Sequence, residues 1–442
     1  MKMRRRYTFT CTGFALVFTF GATACSVSLT GDEKSLDGQT VSVSGVWTGS
    51  ERENFEKVLS AFTAKTGAKT TYTSTGANVS DSINEKFESG NLPDVVMVPQ
   101  VGTLRQFAKD GWLQALSPEV NAIAKSNYSQ AWIDYGTFDN KLYGLFYKAA
   151  DKSTVWFNPR IFRQVGASEP VTFEEMLAVG RQVKASRLAG FTVAGKDGWT
   201  LTDWFENIYL SQAGPTKYDA LSTHAIKWTD SSVVKALTTL SRLFGDSQQF
   251  SGGQREALRT GFTDSVGKVF GPQPEAAMVY EGDFVAGVAH DRHGKTSIRE
   301  IDFFPFPSVS GGEPPIVGGG DAAVVLKDGK NPVAGMELVK FLGTPEAAAI
   351  WAKEGGFLSP NERLDLDSYN SILTSAVAQS FIHDAENVRL DMSDQTPAAF
   401  GGTEGAGERK ILQDFLRDPS DPRRTAAALE ASAAKAYQET DR

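Results

Sequence analysis

Three residues with binding chemistry share one side of a candidate helix: Trp199, Asp203 and Glu206, in the stretch Gly198-Trp199-Thr200-Leu201-Thr202-Asp203-Trp204-Phe205-Glu206-Asn207. At about 100° per residue they fall together, while Leu201, Trp204, Phe205 and Ile208 form the opposite, apolar face. An indole on the polar side forfeits the burial free energy of a large apolar group, so its placement asks for a reason. A sugar supplies one: its C–H face lies on the ring and its hydroxyls donate to the flanking carboxylates. A purely local reading fits the same residues. Thr200 as N-cap and Asp203 as its N3 partner make a capping box, with Trp199 and Trp204 as the hydrophobic staple around it. The two are compatible, because a helix N-terminus directed at a cleft serves both. A third reading takes Asp203 and Glu206 as the paired carboxylates of a retaining glycoside hydrolase, although nothing else in the chain supplies an acid/base site.

Metal and cofactor chemistry finds no support. Cys11 and Cys25 are the only cysteines and both belong to the leader and its end, so the mature fold has no thiolate for catalysis or for zinc or iron–sulfur ligation. His290 and His293 flank Asp291 in a polar stretch that reads as a solvated turn. Gly294-Lys295-Thr296 has Ala289 where a P-loop requires glycine, and Asp365-Leu366-Asp367 lacks the sixth-position glycine of an EF-hand. The expectation is no cofactor and no metal.

The chain that must position these residues has 442 of them, too many for one ordinary core, so two large domains are expected. Residues 1–24 read as a signal peptide. Lys2, Arg4, Arg5 and Arg6 precede the apolar run Phe14 to Phe20, which is too short to span a bilayer, and Gly21-Ala22-Thr23-Ala24-Cys25 follows. Small residues before a cysteine resemble the lipobox of bacterial lipoproteins, with Cys25 acylated as the new N-terminus. Cleavage at Ala22-Thr23-Ala24 to give a soluble secreted protein fits as well. Residues 25–38 lack periodicity and read as a tether. The whole chain carries 45 basic and 53 acidic residues; without the four basic residues of the leader, 41 face 53, a net charge of −12. Such a surface repels phosphate backbones, which excludes nucleic acid as a partner.

Order begins with the strand Val41-Ser42-Val43 and a turn holding Trp47, at the carboxyl end where open α/β sheets bind ligands. Ser50 with Glu53 then suggests a capping box, and Phe55, Val58, Leu59 and Phe62 a buried stripe that Gly67 closes. The unbroken apolar run Val95 to Val98 suits a strand covered on both faces, with Gln100 emerging at its end. Tyr143 to Lys148 reads as an exit strand, Ser153 to Phe157 as the start of a second set. Ala276 to Tyr280 is an apolar strand delivering Glu281-Gly282-Asp283-Phe284, and Gly318-Gly319-Gly320-Asp321 reads as a loop before the strand Ala322 to Leu326. Alternating strands and helices make the class α/β.

Trp47-Thr48-Gly49, Pro93-Asp94-Val95, Tyr143-Gly144 with Lys148, Trp156-Phe157-Asn158-Pro159, Gly198-Trp199 with Asp203-Trp204-Phe205-Glu206, Gly282-Asp283-Phe284 and Gly355-Gly356-Phe357-Leu358-Ser359-Pro360-Asn361 run through the mature chain in this order. In their order and spacing the chain resembles the extracellular solute-binding proteins of carbohydrate ABC transporters, the maltose-binding-protein-like family, and within it the α-glucoside binders. The resemblance implies a two-lobed periplasmic-binding-protein-like α/β fold with the ligand cleft between lobes and three hinge crossings. Lobe 1 is expected from residues 39–148 plus 303–354, lobe 2 from 152–300 plus 357–442. The crossings are expected near Lys148 to Asp151, Glu300 to Phe303 and Glu354 to Phe357. Function is then capture of a sugar outside the cytoplasm and delivery to the permease subunits of an ABC importer by hinge closure, without bond chemistry, by a monomer held to the membrane through its lipid. The candidate sugar-binding residues are Trp47, Glu51, Gln100, Lys148, Trp199, Asp203, Trp204, Glu206, Glu281, Asp283 and Asp321. A solute-binding protein for a non-sugar solute is the remaining alternative.

Overall fold

The structure, a computed structural model, describes residues 35–76, 79–295, 297–312, 314–383 and 388–440. The leader and Cys25 therefore lie outside the described residues. Among those described, no helix is long and apolar enough to cross a membrane.

Two sheets organise the chain. The first runs in the order Arg389–Leu390, Val317–Leu326, Val95–Val98, Thr40–Gly45, Lys69–Ser74, with Leu113–Gln114 and Gly144–Asp151 also pairing with the long strand Val317–Leu326. Thr40–Gly45 is parallel to both its neighbours, whereas Val317–Leu326 runs antiparallel to Val95–Val98 and to Gly144–Asp151. The second sheet has four strands in the order Asp302–Pro305, Thr154–Phe157, Ala276–Tyr280, Ala189–Thr192. Alternation of side chains splits each strand between two cores. Val95 and Met97 join Val43, Phe55 and Trp351 on one face of the first sheet, while Val96 and Val98 join Val79, Ile83 and Leu104 on the other. In the second sheet Val155 and Phe157 face Trp204 and Tyr280, and Trp156 faces Val266 and Val285.

Local chemistry sets several ends. Thr172 accepts from the Glu175 amide while the Glu175 carboxylate accepts from that of Thr172, a capping box at the head of Phe173–Val183. Asn158 caps Pro159–Val165, with proline at the first position where its missing N–H is harmless. The capping box expected at Ser50 and Glu53 does not form. Helix Gly49–Thr66 starts after Thr48, two residues earlier than that motif requires, which puts Ser50 inside the first turn beside Glu51 and Glu53 beyond it.

The crossings fall later than expected. The first, expected at Lys148 to Asp151, lies just beyond it: those residues are still strand Gly144–Asp151 of the first sheet, which leads through Lys152 and Ser153 into Thr154–Phe157 of the second. The second was expected at Glu300 to Phe303, but Asp302–Pro305 pairs antiparallel with Thr154–Phe157, so the chain leaves the second sheet only after Pro305. Pro305 is tolerated because this is an edge strand. The third was expected at Glu354 to Phe357, yet after the Gly355-Gly356 turn the chain returns to the first lobe. The Ala149 amide donates to the Leu358 carbonyl at 2.8 Å, and Leu358, Tyr369, Val377 and Phe381 complete the core around Trp47. Arg389–Leu390 still pairs in the first sheet, and Met392 is the first of the following residues in the second lobe's core, so this crossing lies at Asp391. The Gly318-Gly319-Gly320-Asp321 segment is likewise strand, not loop.

Candidate functional site

Where the lobes meet, two lysines gather the acids. Lys148, near the end of its strand, stands opposite Asp321 in register, at a shift in the ladder between Asp321 and Ala322. Its ammonium lies 2.5 Å from Glu51, in the first turn of Gly49–Thr66, and 5.3 Å from the Trp351 ring. Burial opposes the charge on Lys148, but Glu51 and Asp321 outweigh it and hold the ammonium above its usual range. Four residues on, at the crossing itself, Lys152 bonds Asp391 and lies 3.5 Å from Asp394 and 3.6 Å from Asp203. Its ammonium also sits 5.6 Å from the Trp199 ring, a cation–π arrangement.

The second cluster carries more acid than base. Asp203 and Glu281 are fully buried, and what faces their oxygens is each other, Asp391 and the Lys152 ammonium. Burial pushes both well above the carboxylate range; Lys152 opposes this, and the Asp391 charge adds to it. Asp391 goes the other way. Burial works against its ionisation, but the Lys152 ammonium and the Ser393 hydroxyl, 2.7 Å away, hold it below the ordinary value. Asp394, buried beside ionised Asp391, is pushed up to about 7. Such neighbouring carboxyls share protons and suit hydroxyl groups, which both donate and accept.

The candidate residues divide into those that meet here and those that do not. Glu51, Lys148, Asp321, Asp283 and Glu281 come to the lobe junction with Asp203 and Trp199, and Trp199 is only part-buried, edged by Phe262 and Phe284. Asp283 is tied down on one oxygen, which accepts from the Asp151 amide at 2.9 Å. Gln100, nearly buried, precedes helix Val101–Lys109 and approaches Gly402 of the second lobe. Trp47 packs edge-on to Phe55 and Trp351 at centroid distances of 4.7 and 4.8 Å inside the first core, with its indole hydrogen-bonded to Asp321 at the junction. Trp204 is a correction, enclosed by Tyr280, Phe306 and Phe191 in the second core. Glu206 is another. Its carboxylate accepts from the Tyr218 hydroxyl at 2.5 Å and from the amides of Met392 and Ser393 at 2.6 and 2.9 Å, so it is spent on positioning the turn that carries Asp391 and Asp394.

These bonds also decide the helix start. Gly198 is the N-cap of Trp199–Ala213, and the Thr200 hydroxyl bonds the Ala194 carbonyl instead of capping, so the capping box read at Thr200 and Asp203 is absent. With Glu206 committed, Asp203 and Glu206 do not form the free acid/base pair a hydrolase needs. Carboxylate oxygens of Asp203, Glu206 and Asp391 approach within 4.8 Å of one another, but the cation answering this cluster is Lys152. Lys152, Asp391 and Asp394 were absent from the candidate residues. Nothing local marks them, since Lys152 and Asp391 are separated by 239 positions.

The lobes are in direct contact at Gly102 of the first, where an added Cβ would lie 2.0 Å from the Thr396 carbonyl oxygen of the second. Sequence comparison then fixes the family. The model of the bacterial extracellular solute-binding proteins matches residues 48–349. The chain belongs to that family. The osmoprotective compounds-binding protein GgtB of Synechocystis sp. is 32% identical over 380 residues, covering 84% of this chain and 87% of that protein. The alpha-glucosides-binding periplasmic protein AglE of Rhizobium meliloti is 29% identical over 380 residues, covering 83% and 81%. Among solved structures, the bacterial solute receptor AcbH superposes with a TM-score of 0.76 at 20% identity, covering 91% of this chain and 99% of its own, and T. maritima MalE3 with maltose bound gives 0.72 at 14%, covering 90% and 99%. The solute-binding protein thus has the two-lobed fold of these receptors, with its lysine–carboxylate clusters between the lobes.

A pH dependence follows from the crowded acids. Burial pushes Asp151, Asp283 and Asp394 up to about 7 and Asp321 up to about 6, against an ordinary 3.8. Above about pH 4 the unfolded chain has lost these protons while the folded one keeps them. The stability they confer is complete below the unfolded value and lost as pH rises through 6 and 7. Asp391, held low, acts only below that window, and the raised lysines only above it. The ligand-free protein should therefore melt about 5 °C lower at pH 8 than at pH 5 by differential scanning calorimetry; a midpoint rising over that interval would contradict the burial of these carboxyls.

Proposed function

We propose that this solute-binding protein captures a neutral sugar outside the cytoplasm, an α-glucoside or other oligosaccharide, and presents it to the permease of an ABC importer by hinge closure, with no chemistry on the ligand. One observation carries the reading: a part-exposed indole, Trp199, stands over Lys152 beside Asp203, whose carboxyl is buried among other acids. Sugar hydroxyls both donate and accept, which suits carboxyls that share protons, and bonds to the Lys152 ammonium or to ionised Asp391 are charge-assisted, roughly twice as strong as neutral ones. The α-glucoside choice draws support from the name of AglE; that of GgtB favours a second reading, a small osmoprotective solute. In this proposal Cys25 bears the lipid, residues 25–38 hold the monomer off the membrane, and closure about the crossings at 152–153, 306–316 and 391 is the signal the permease reads.

Calorimetric titration against maltose, trehalose, sucrose, longer maltodextrins and β-linked disaccharides tests it. An α-linked member should bind with a micromolar Kd, about −8 kcal/mol, and small-angle scattering should register the change in lobe closure. Heat from no sugar in the panel would reject the proposal, and release of p-nitrophenol from p-nitrophenyl glucosides would return the hydrolase.

A further inference from the structure

The first lobe has a second polar recess, on the face of its parallel strands turned away from the core around Trp47. Strands Thr40–Gly45 and Lys69–Ser74 send Val41, Val43 and Tyr72 into the core below helix Gly49–Thr66. Their other face carries hydroxyls: Thr40, Ser42 and Ser44 on one strand, Thr71 and Thr73 on the next, with Ser42 beside Thr71 and Ser44 beside Thr73 in register. A doubly wound sheet is expected to be apolar on both faces. Here the second face opens into a groove of about 320 Å³, walled by Lys86 at the end of helix Val79–Glu88, by Asn91 to Asp94, and by Lys330.

The charges in this groove are unlike those of the cleft. Its acid, Asp94, is spent: one oxygen accepts from the Ser42 amide at 2.8 Å and its hydroxyl at 2.7 Å, and the other from the Asn331 amide. The ammonium groups of Lys86 and Lys330 have no hydrogen bond or ion pair among the described residues. Ser44 is 2% exposed, lines the groove, and its hydroxyl has no partner there either. Two lysines without partners and a row of hydroxyl donors lining one groove suit an anion, since such donors make their strongest bonds to ionised oxygens. The volume lies at the small end of ligand sites.

We propose that this groove is a second binding site, for a phosphate group, held by Lys86 and Lys330 with hydroxyls of Ser44, Thr71 and Thr73. It is independent of which solute the cleft takes. A phosphate can arrive free in solution or as the headgroup of a membrane lipid, and the chemistry of capture is the same.

Titration of the protein with inorganic phosphate and with glycerol 3-phosphate, and flotation with phosphatidylglycerol vesicles, separates the two sources. Binding in the soluble arm with a Kd below about 1 mM, weakened at least tenfold by Lys86→Gln/Lys330→Gln and by 0.5 M salt, is the expected result. Lysine-dependent flotation without soluble binding supports the site and assigns it to lipid. Sugar titration of the same double variant must match the parent, which shows that the fold and the cleft are intact. No binding in either arm, or binding indifferent to the double substitution, overturns the proposal.

Discussion

Lys152→Met is expected to weaken sugar binding more than about thirtyfold and to lower the melting midpoint by about 5–10 °C at pH 8. The lysine is the cation that Asp203, Asp391 and Asp394 share, and its side chain is 12% exposed while those of Asp203 and Asp391 are sealed. Removing one partner of a buried ion pair leaves the other uncompensated, a loss of about 3–5 kcal/mol, which for a chain of this size amounts to several degrees. The affinity loss has the same origin. Without Lys152 the carboxyls take up protons or repel one another, and the ordered acceptors a hydroxyl ligand needs are gone, an effect of about 2–5 kcal/mol at buried polar contacts.

The sign with pH is part of the expectation. In the variant Asp391 loses the ammonium that holds it ionised, and burial then pushes its carboxyl up. The variant should then recover stability as pH falls from 8 to 5, more steeply than the parent. Asp391→Asn in the Lys152→Met background should restore part of the midpoint at pH 8, because the stranded charge has been removed. If the double variant melts no higher than the single one, the lysine acts through the packing of its methylenes and not through its charge.

Much of the fold is legible in periodicity, while the site is legible only where it is local. Val95 to Val98 and Ala276 to Tyr280 read as strands because unbroken apolar runs of that length suit a sheet covered on both faces. The three glycines at 318–320 mislead, since glycine is depleted in strands. They are strand because neighbours press close: a Cβ on Gly320 would sit 2.6 Å from the Lys148 carbonyl oxygen, and one on Gly318 2.8 Å from Val388. Trp199 and Asp203 were found together since four residues along a helix share a face. Lys152 and Asp391 meet because the strands they follow, Gly144–Asp151 and Arg389–Leu390, flank the same Gly318 in the first sheet, and no spacing announces that. Trp47 occupies the strand end where ligands bind, yet Trp351, from the far side of the chain, closes over it. Glu206 fails as a ligand group for a similar reason: its donors, Tyr218, Met392 and Ser393, come from beyond its own helix.

The tryptophans give the sharpest separation between holding the fold and holding the ligand. Trp204→Ala and Trp47→Ala each empty a sealed site among aromatic rings, at a loss of about 3–5 kcal/mol, so both variants should melt about 5–10 °C below the parent. Trp199→Ala removes a ring that is already part-exposed and touches Phe262 and Phe284 at its edge. It should melt within about 2 °C of the parent and bind its sugar at least tenfold more weakly, near 1.4 kcal/mol, because the face against which a pyranose packs is gone. The Trp47 and Trp204 variants, assayed below their midpoints, should retain affinity within about threefold, less than 1 kcal/mol. Thermal melts and calorimetric titrations of the three variants side by side decide the assignment. A Trp199→Ala protein with parental affinity, beside a Trp47→Ala protein with parental stability and no binding, would exchange the roles given to these two rings. The cleft would then be centred on the Lys148, Glu51 and Asp321 cluster of the first lobe, and the acids around Lys152 would serve only to hold the lobes together.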